Sequence, residues 1–200
     1  MDCVHLNPPD PTRWEYTGFV VVFVVVFLEF QLRCCNFGHY YNTYGPLIDV
    51  NLEIKDADSL HSALESFTRV EKLDDPEIKC TCERCKVQVS IEKKLMLYDA
   101  PSVAIFHLKR FESEGSVVGK VEKHVSFPLE LDLLPYTDNN QTNNEQMKYD
   151  LYIVILHAGS ISSSGHYYCF ICAEPNEWYK FDDLTVSKIV QSCSFLYVTN

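Results

Sequence analysis

Apolar and polar side chains alternate along residues 48–54, which predicts a half-buried β-strand. The apolar positions of this strand, which we expect to face the core, are Ile48, Val50, Leu52 and Ile54. A helical period follows, with apolar residues at Leu60, Ala63, Leu64 and Phe67. Asp58 or Ser59 can cap the start, so the pattern predicts a short amphipathic helix over about residues 59–69 that packs on the core.

Short runs of β-branched and aromatic residues predict further strands in the rest of the chain. They lie near residues 88–98, 102–110, 121–127, 150–158, 166–173, 177–181 and 194–199. The polar run at residues 138–146 contains no apolar anchor and predicts a mobile loop tip. The pattern as a whole predicts an α+β protein that is mainly antiparallel β, with few helices, folded as one unit.

The segment before residue 32 differs in pattern from the rest, and we treat residues 1–31 as a separate N-terminal segment. It contains an unbroken run of Phe, Val and Leu at residues 19–28. As a helix this run would span about 15 Å, roughly half of a bilayer core. A membrane span would have to take in Glu29, Gln31 and Arg33, so membrane association is not expected. We favour a buried strand or non-native sequence over a signal peptide or an anchor.

The net charge and the cysteine content limit the expected partners and the expected cellular compartment. The chain carries 28 Asp and Glu against 17 Lys and Arg, for a formal net charge of −11. Such an acidic chain repels phosphate backbones, so nucleic acid is not an expected partner. The nine cysteines are an odd number, and several are clustered, which favours metal binding or free thiols over a disulfide framework. A reducing compartment, the cytoplasm or the nucleus or both, is expected.

The clearest metal-binding pattern is Cys82-Glu-Arg-Cys85. Two thiolates at this spacing form half of a tetrahedral zinc site, because a tight turn lets both sulfur atoms meet one ion. Upstream, Cys34 is the candidate third ligand, but Phe37 stands where a second CxxC would place its other cysteine. A fourth ligand would have to come from Cys35, His39, Cys80 or water. The alternative is a turn without metal, in which the cysteines pack as small apolar residues.

A second constellation joins a histidine to a carboxylate. His166 opens a predicted strand after a loop rich in Gly and Ser, and Asp182 ends the next predicted strand. Two paired strands can place an imidazole beside a carboxylate, which would fix the tautomer of a general-base histidine. A histidine on a strand with a purely structural role is the alternative.

The chain from Leu32 to Val198 resembles the ubiquitin-specific proteases, in particular their plant members. The matching segments are residues 32–34, 43–44 and 47–54 for the first zinc knuckle and finger strand, 82–86 for the second knuckle, 100–111 for the palm strand, and 157–159, 164–168 and 178–183 for the histidine box. The resemblance implies the fingers, about residues 32–98, and the palm, about residues 99–200, of a papain-like fold. It also implies that His166 is the general base, Asp182 its orienting residue and Asp183 a neighbouring support.

The chain departs from this family at its start. Family members begin with a Gly-Asn-Thr-Cys-type box, which carries the nucleophile, followed by a helical thumb. No such box occurs here, and only 33 residues precede Cys34. The resemblance therefore implies a thiol deubiquitinase that hydrolyses ubiquitin from protein conjugates, with ubiquitin as partner and one structural zinc on Cys34, Cys82 and Cys85. This polypeptide alone is expected to be inactive; the alternatives are a non-catalytic ubiquitin-binding fragment and an incomplete gene model.

Overall fold

The computed structural model describes residues 26–47, 49–73, 80–82, 84–99, 101–114, 117–138, 147–161, 164–175 and 177–189. Within these residues the chain forms one α-helix, a 3-10 turn at Leu134–Tyr136 and a series of mostly short strands. In chain order they are β1 (Val26–Cys34), β2 (Tyr40–Leu47), β3 (Val50–Glu53), α1 (Leu60–Thr68), β4 (Glu71–Leu73), β5 (Cys80–Thr81), β6 (Gln88–Val89), β7 (Ile91–Leu97), β8 (Phe106–Lys109), β9 (Phe111–Glu114), β10 (Val117–Lys120), β11 (Glu130–Asp132), β12 (Lys148–Asp150), β13 (Ile153–Ile161), β14 (Ser164–Glu174), β15 (Glu177–Asp182) and β16 (Thr185–Ile189).

Two four-stranded antiparallel sheets dominate the described part of the chain. The first has the strand order β2-β1-β7-β4, and the second has the order β13-β14-β15-β16. The smaller pairs β9–β10, β11–β12 and β5–β6 are also antiparallel, whereas β3 and β8 pair in parallel. The predicted α+β class, mainly antiparallel with few helices, is confirmed.

Strand β3 has the predicted alternation of buried and exposed residues. Val50, Leu52 and Ile54 are at most 1% exposed, whereas Asn51 and Glu53 between them face solvent. Ile48, the first apolar position of the predicted pattern, lies outside the described residues. The parallel partner β8 holds one edge of β3, so this short strand crosses the centre of the core.

Helix α1 begins at the second of the two predicted caps. The Ser59 hydroxyl accepts a hydrogen bond from the Ser62 amide, and the Ser62 hydroxyl accepts one from the Ser59 amide. This reciprocal pair satisfies two of the amide donors that a helix leaves free at its start. Leu60, Ala63 and Leu64 are buried in the same core cluster as β3, so the predicted amphipathic helix is confirmed.

The strand predicted at residues 121–127 is wrong. Its place is taken by an irregular segment that makes a single bridge, between Ser59 and Ser126. The Arg110 guanidinium donates hydrogen bonds to the carbonyl groups of Val121 and Lys123. These two carbonyl groups are thus bound by a side chain, and the regular pairing of β9 with β10 ends at Lys120.

Other differences concern short or masked stretches. The sequence pattern did not predict eight of the observed strands: β2, β4, β5, β9, β10, β11, β12 and β16. The predicted strand at residues 194–199 and nearly all of the predicted loop tip, residues 139–146, lie outside the described residues.

Strand β1 begins within the predicted N-terminal segment. Leu28 is 6% exposed and belongs to the core cluster, while Glu29 is 2% exposed and accepts hydrogen bonds from Asn42 and Tyr44. The end of the apolar run is therefore a strand in the first sheet. The boundary predicted at residue 31 falls inside this strand, and the division into residues 1–31 and 32–200 stays a prediction. No helix among the described residues is long and apolar enough to cross a membrane.

Candidate functional site

The second sheet brings His166 and Asp182 into direct contact. Strands β14 and β15 are antiparallel, with Cys169 opposite Phe181. Since side chains alternate along a strand, His166 and Asp182 emerge on the same face near one end of the pair. The Nε2 atom of His166 lies 2.5 Å from Oδ1 of Asp182.

Charge and hydrogen bonding set the protonation states of the two groups. The hydrogen bond that the imidazole makes to Asp182 raises the pKa of His166, and the charge of Asp183 adds to this effect, whereas desolvation opposes it. The pKa of Asp182 is lowered, first by a hydrogen bond from Lys180 and then by His166, so the carboxylate stays ionised. An ionised carboxylate only accepts hydrogen bonds. Nε2 of His166 is therefore the donor, and Nδ1 is left as the atom that can accept a proton.

Asp183 lies in the two-residue turn that joins β15 to β16. Its φ is 50°, a left-handed conformation that Asp tolerates better than most residues. This turn keeps its carboxylate at the exposed end of the hairpin, where a carboxylate oxygen lies within 4.8 Å of ligand atoms of both His166 and Asp182. Thus all three predicted catalytic residues come together; their roles are not tested by this geometry and stay a prediction.

His157 is a further member of this site that the sequence analysis did not single out. Its ring packs against the backbone of Gly165, where a Cβ atom would come within 2.1 Å of the His157 Nε2. It also contacts the rings of Phe111 and Tyr167. Gly165 immediately precedes His166, so this close approach sets the backbone position from which the His166 side chain starts. The glycine before the histidine was the available signal.

The predicted metal ligands also come together. The Sγ atoms of Cys34, Cys82 and Cys85 all lie within 4.8 Å of one another. Cys34 and Cys82 are buried and Cys85 is partly exposed. A hydrogen bond from the Cys85 amide, and then one from the Tyr41 hydroxyl, lowers the pKa of Cys82 to about 6. Clustered thiols of which one readily ionises are a donor set that suits zinc.

Two turns with the same backbone pattern present these thiols. In the first, the Cys34 carbonyl accepts from the Gly38 amide, and the Cys34 amide donates to the His39 carbonyl, both at 2.8 Å. In the second, the Cys82 carbonyl and amide make the corresponding bonds with residues 86 and 87. Gly38 and residue 86 both have positive φ, of 66° and 59°.

Superposing the patterns residue by residue places Phe37 at the position of Cys85. Its side chain is 63% exposed. Of the predicted sources of a fourth ligand, Cys35 is exposed, and His39 Nδ1 lies 3.2 Å from the Arg84 guanidinium. The Cys80 side chain lies outside the described part of the structure. The residues present therefore fit a zinc ion with three protein ligands, Cys34, Cys82 and Cys85. Phe37, which has no ligand atom, stands at the fourth position of the paired turns.

Comparisons with known proteins point to a single family. The sequence profile described as "Ubiquitin carboxyl-terminal hydrolase" matches residues 19–197. The chain is similar to ubiquitin carboxyl-terminal hydrolase 20 of Arabidopsis thaliana, with 48% identity over 79% of this chain and 22% of the relative. It is also similar to ubiquitin carboxyl-terminal hydrolase 42 of Homo sapiens, with 37% identity over 80% of this chain and 12% of the relative. The chain thus spans about a fifth or less of the length of these curated relatives.

A solved structure gives the same picture. The SAGA Ubp8/Sgf11/Sus1/Sgf73 DUB module bound to ubiquitin aldehyde includes a chain that matches with a TM-score of 0.74 and 29% identity. The match covers 84% of this chain and 38% of the solved one. The predicted resemblance and the predicted fold class are both confirmed.

Proposed function

The chain belongs to the ubiquitin carboxyl-terminal hydrolase family, and on this premise we propose that it is the base-bearing, ubiquitin-contacting part of a cysteine-type deubiquitinase. The observation that carries the proposal is the 2.5 Å contact between His166 and Asp182 on paired strands. Such a pair is what thiol proteases use to activate a nucleophile and to protonate a leaving group.

In this proposal each group has a defined part. A thiol would give its proton to Nδ1 of His166, and the thiolate would attack the carbonyl carbon at the carboxyl end of ubiquitin. The protonated imidazole, stabilised by the charge of Asp182, would then donate its proton to the leaving amine. Asp183 adds negative charge close to the imidazolium and supports the same protonated state.

The nucleophile is the part that these residues do not provide. The 200 residues contain no Gly-Asn-Thr-Cys-type box. Cys169 on β14 alternates to the face opposite His166, and Cys172 lies six residues away, roughly 20 Å along an extended strand. A base without a correctly placed thiol forms no acyl-enzyme. We therefore propose that this polypeptide, taken alone, binds ubiquitin without hydrolysing its conjugates.

The three clustered thiols are proposed to hold one structural zinc ion. Bound zinc would supply a cross-link between the two turns that begin at Cys34 and Cys82. These turns lie at the ends of the β1–β2 and β5–β6 pairs, so the cross-link would join two hairpins that are far apart in sequence. Free thiols and zinc ligands of this kind fit a reducing compartment, and we propose the cytoplasm, the nucleus or both.

Two assays on the 200-residue chain test the proposal. Titration of ¹⁵N-labelled ubiquitin should give saturable chemical-shift changes, since the proposal assigns a ubiquitin-contacting surface to this chain. Incubation with ubiquitin carrying a thiol-reactive electrophile at its carboxyl end should leave the mass of the chain unchanged. An absence of shift changes would contradict ubiquitin binding, and a stable adduct on any cysteine would show that the nucleophile is present after all.

A further inference from the structure

The carboxylate of Asp182 has two oxygen atoms, and each has a different partner. Oδ1 faces His166, while Oδ2 lies 2.6 Å from Nζ of Lys180. Lys180 and Asp182 are two residues apart on β15 and so lie on the same face of the sheet. The carboxylate is thus held at both ends, and it cannot turn away from the imidazole without giving up the bond to Lys180.

Lys180 is itself held by an aromatic ring. Its Nζ lies 4.4 Å from the centre of the Tyr168 ring, a cation–π distance. Tyr168 lies two residues after His166 on β14, and the two rings stack with their centres 6.4 Å apart. The side chains of His166, Asp182, Lys180 and Tyr168 therefore contact one another in a ring on one face of β14 and β15.

We propose that Lys180 is a positioning residue for this site: it holds Oδ2 of Asp182 and offsets part of the carboxylate's charge, which limits how strongly His166 binds a proton. The inference rests on the proposed roles of His166 and Asp182. For a general base the offset matters, because a base works best when it is largely neutral at the working pH and still able to take a proton. If Lys180 were absent, the charges of Asp182 and Asp183 would make the His166 imidazole bind its proton more strongly.

The charges around His166 agree with this assignment. Among the described residues, Asp182, Asp183 and Lys180 act on it through charge, Tyr168 stacks on it, and its cross-strand neighbour on β13 is Ala158. The two carboxylates raise the pKa of His166, and Lys180 is the one charged neighbour that lowers it. Lys180 is also the first cause of the lowered pKa of Asp182.

The test is an NMR titration of the His166 ring in the full chain, with the resonance assigned by its loss in His166→Gln. We expect Lys180→Met to strengthen proton binding by His166 by about two- to fivefold, the range for exposed charge pairs. Lys180→Arg should restore the wild-type titration. Lys188→Met is the matched control, because Lys188 makes the same kind of contacts, 2.6 Å to Glu177 and 5.8 Å to the Tyr179 ring, on the neighbouring strand.

The outcomes separate the possible roles. A stronger proton affinity in Lys180→Met only, with rescue by arginine, supports the proposal, whereas a purely structural lysine would change thermal stability and leave the titration as in Lys188→Met. An unchanged or weaker proton affinity of His166 in Lys180→Met would overturn it. If that variant does not fold, Lys180→Gln, which keeps a hydrogen-bond donor without charge, gives the same readout. The titration needs neither ubiquitin nor turnover, so its failure is distinct from failure of the proposed function.

Discussion

Replacing Phe37 with cysteine should complete the zinc site. The two turns share their backbone hydrogen bonds and their positive φ, and this correspondence places residue 37 where the second turn carries Cys85. The substitution therefore adds a fourth thiolate to the three sulfur atoms that already lie within 4.8 Å of one another. Because Phe37 is 63% exposed, its removal should cost no more than about 0.5 kcal/mol in packing.

The expected gain in affinity follows from the energy of a complete site. Structural zinc sites contribute about 10–16 kcal/mol, or about 2.5–4 kcal/mol for each of four ligands. At about 1.4 kcal/mol per factor of ten, one added thiolate should tighten zinc binding on the order of 100-fold. At equal free zinc above the dissociation constants, the same change should raise the free energy of unfolding by about 2.7 kcal/mol.

Competition with a chromophoric zinc chelator, under reducing conditions, measures this change. Asn36→Cys is the matched control, since it adds a thiol one residue away from the position that the paired turns assign. Cys82→Ala is the negative control and should abolish binding, because it removes one of the three clustered ligands. A zinc affinity in Phe37→Cys that is no higher than in the wild type, or no higher than in Asn36→Cys, would refute the equivalence of the two turns.

Three further predictions concern stability. The hydrogen bond to Asp182 raises the pKa of His166, so the pair adds stability at low pH. This stability is fully present below the ordinary pKa of 6.5 and is lost as the pH rises through the folded-state pKa. Asp182→Asn should therefore lower the melting temperature more at pH 5.5 than at pH 8.5. Leu64 is fully buried, and Leu64→Ala should lower the free energy of urea unfolding by about 2–5 kcal/mol. Asn42→Ala removes the 2.6 Å hydrogen bond to the buried Glu29 carboxylate and should cost about 1.5–3 kcal/mol in the same assay.

Local periodicity predicted the elements that bury one clear face. The alternation at Val50 and Leu52 and the helical spacing at Leu60 and Leu64 were enough, because each pattern leaves a single way to place its apolar residues in the core. The segment at residues 121–127 was assigned wrongly because it has strand-like composition, and only the fold reveals that Arg110 binds the carbonyl groups of Val121 and Lys123.

The sequence predicted the site residues that belong to recognisable motifs. His166, Asp182 and the three clustered cysteines follow from spacing and from family resemblance. Lys180 and His157 lie inside the matched segments 178–183 and 157–159, but the motifs assign them no part, since their importance depends on which side chains share a face after two strands have paired. No sequence period records that register, so contacts of this kind become visible only in the folded chain.

The most direct test of the central claim is to join this chain to a segment that would carry the proposed nucleophile. The portion of the Arabidopsis relative that precedes its matched region would be joined to this chain, and hydrolysis of a fluorogenic ubiquitin amide would be measured for wild-type and His166→Ala fusions. If this chain is the base-bearing part of the enzyme, the wild-type fusion should hydrolyse the substrate, and the variant should be slower by about 10²- to 10⁴-fold. A folded, ubiquitin-binding wild-type fusion that is no faster than His166→Ala would contradict the assignment.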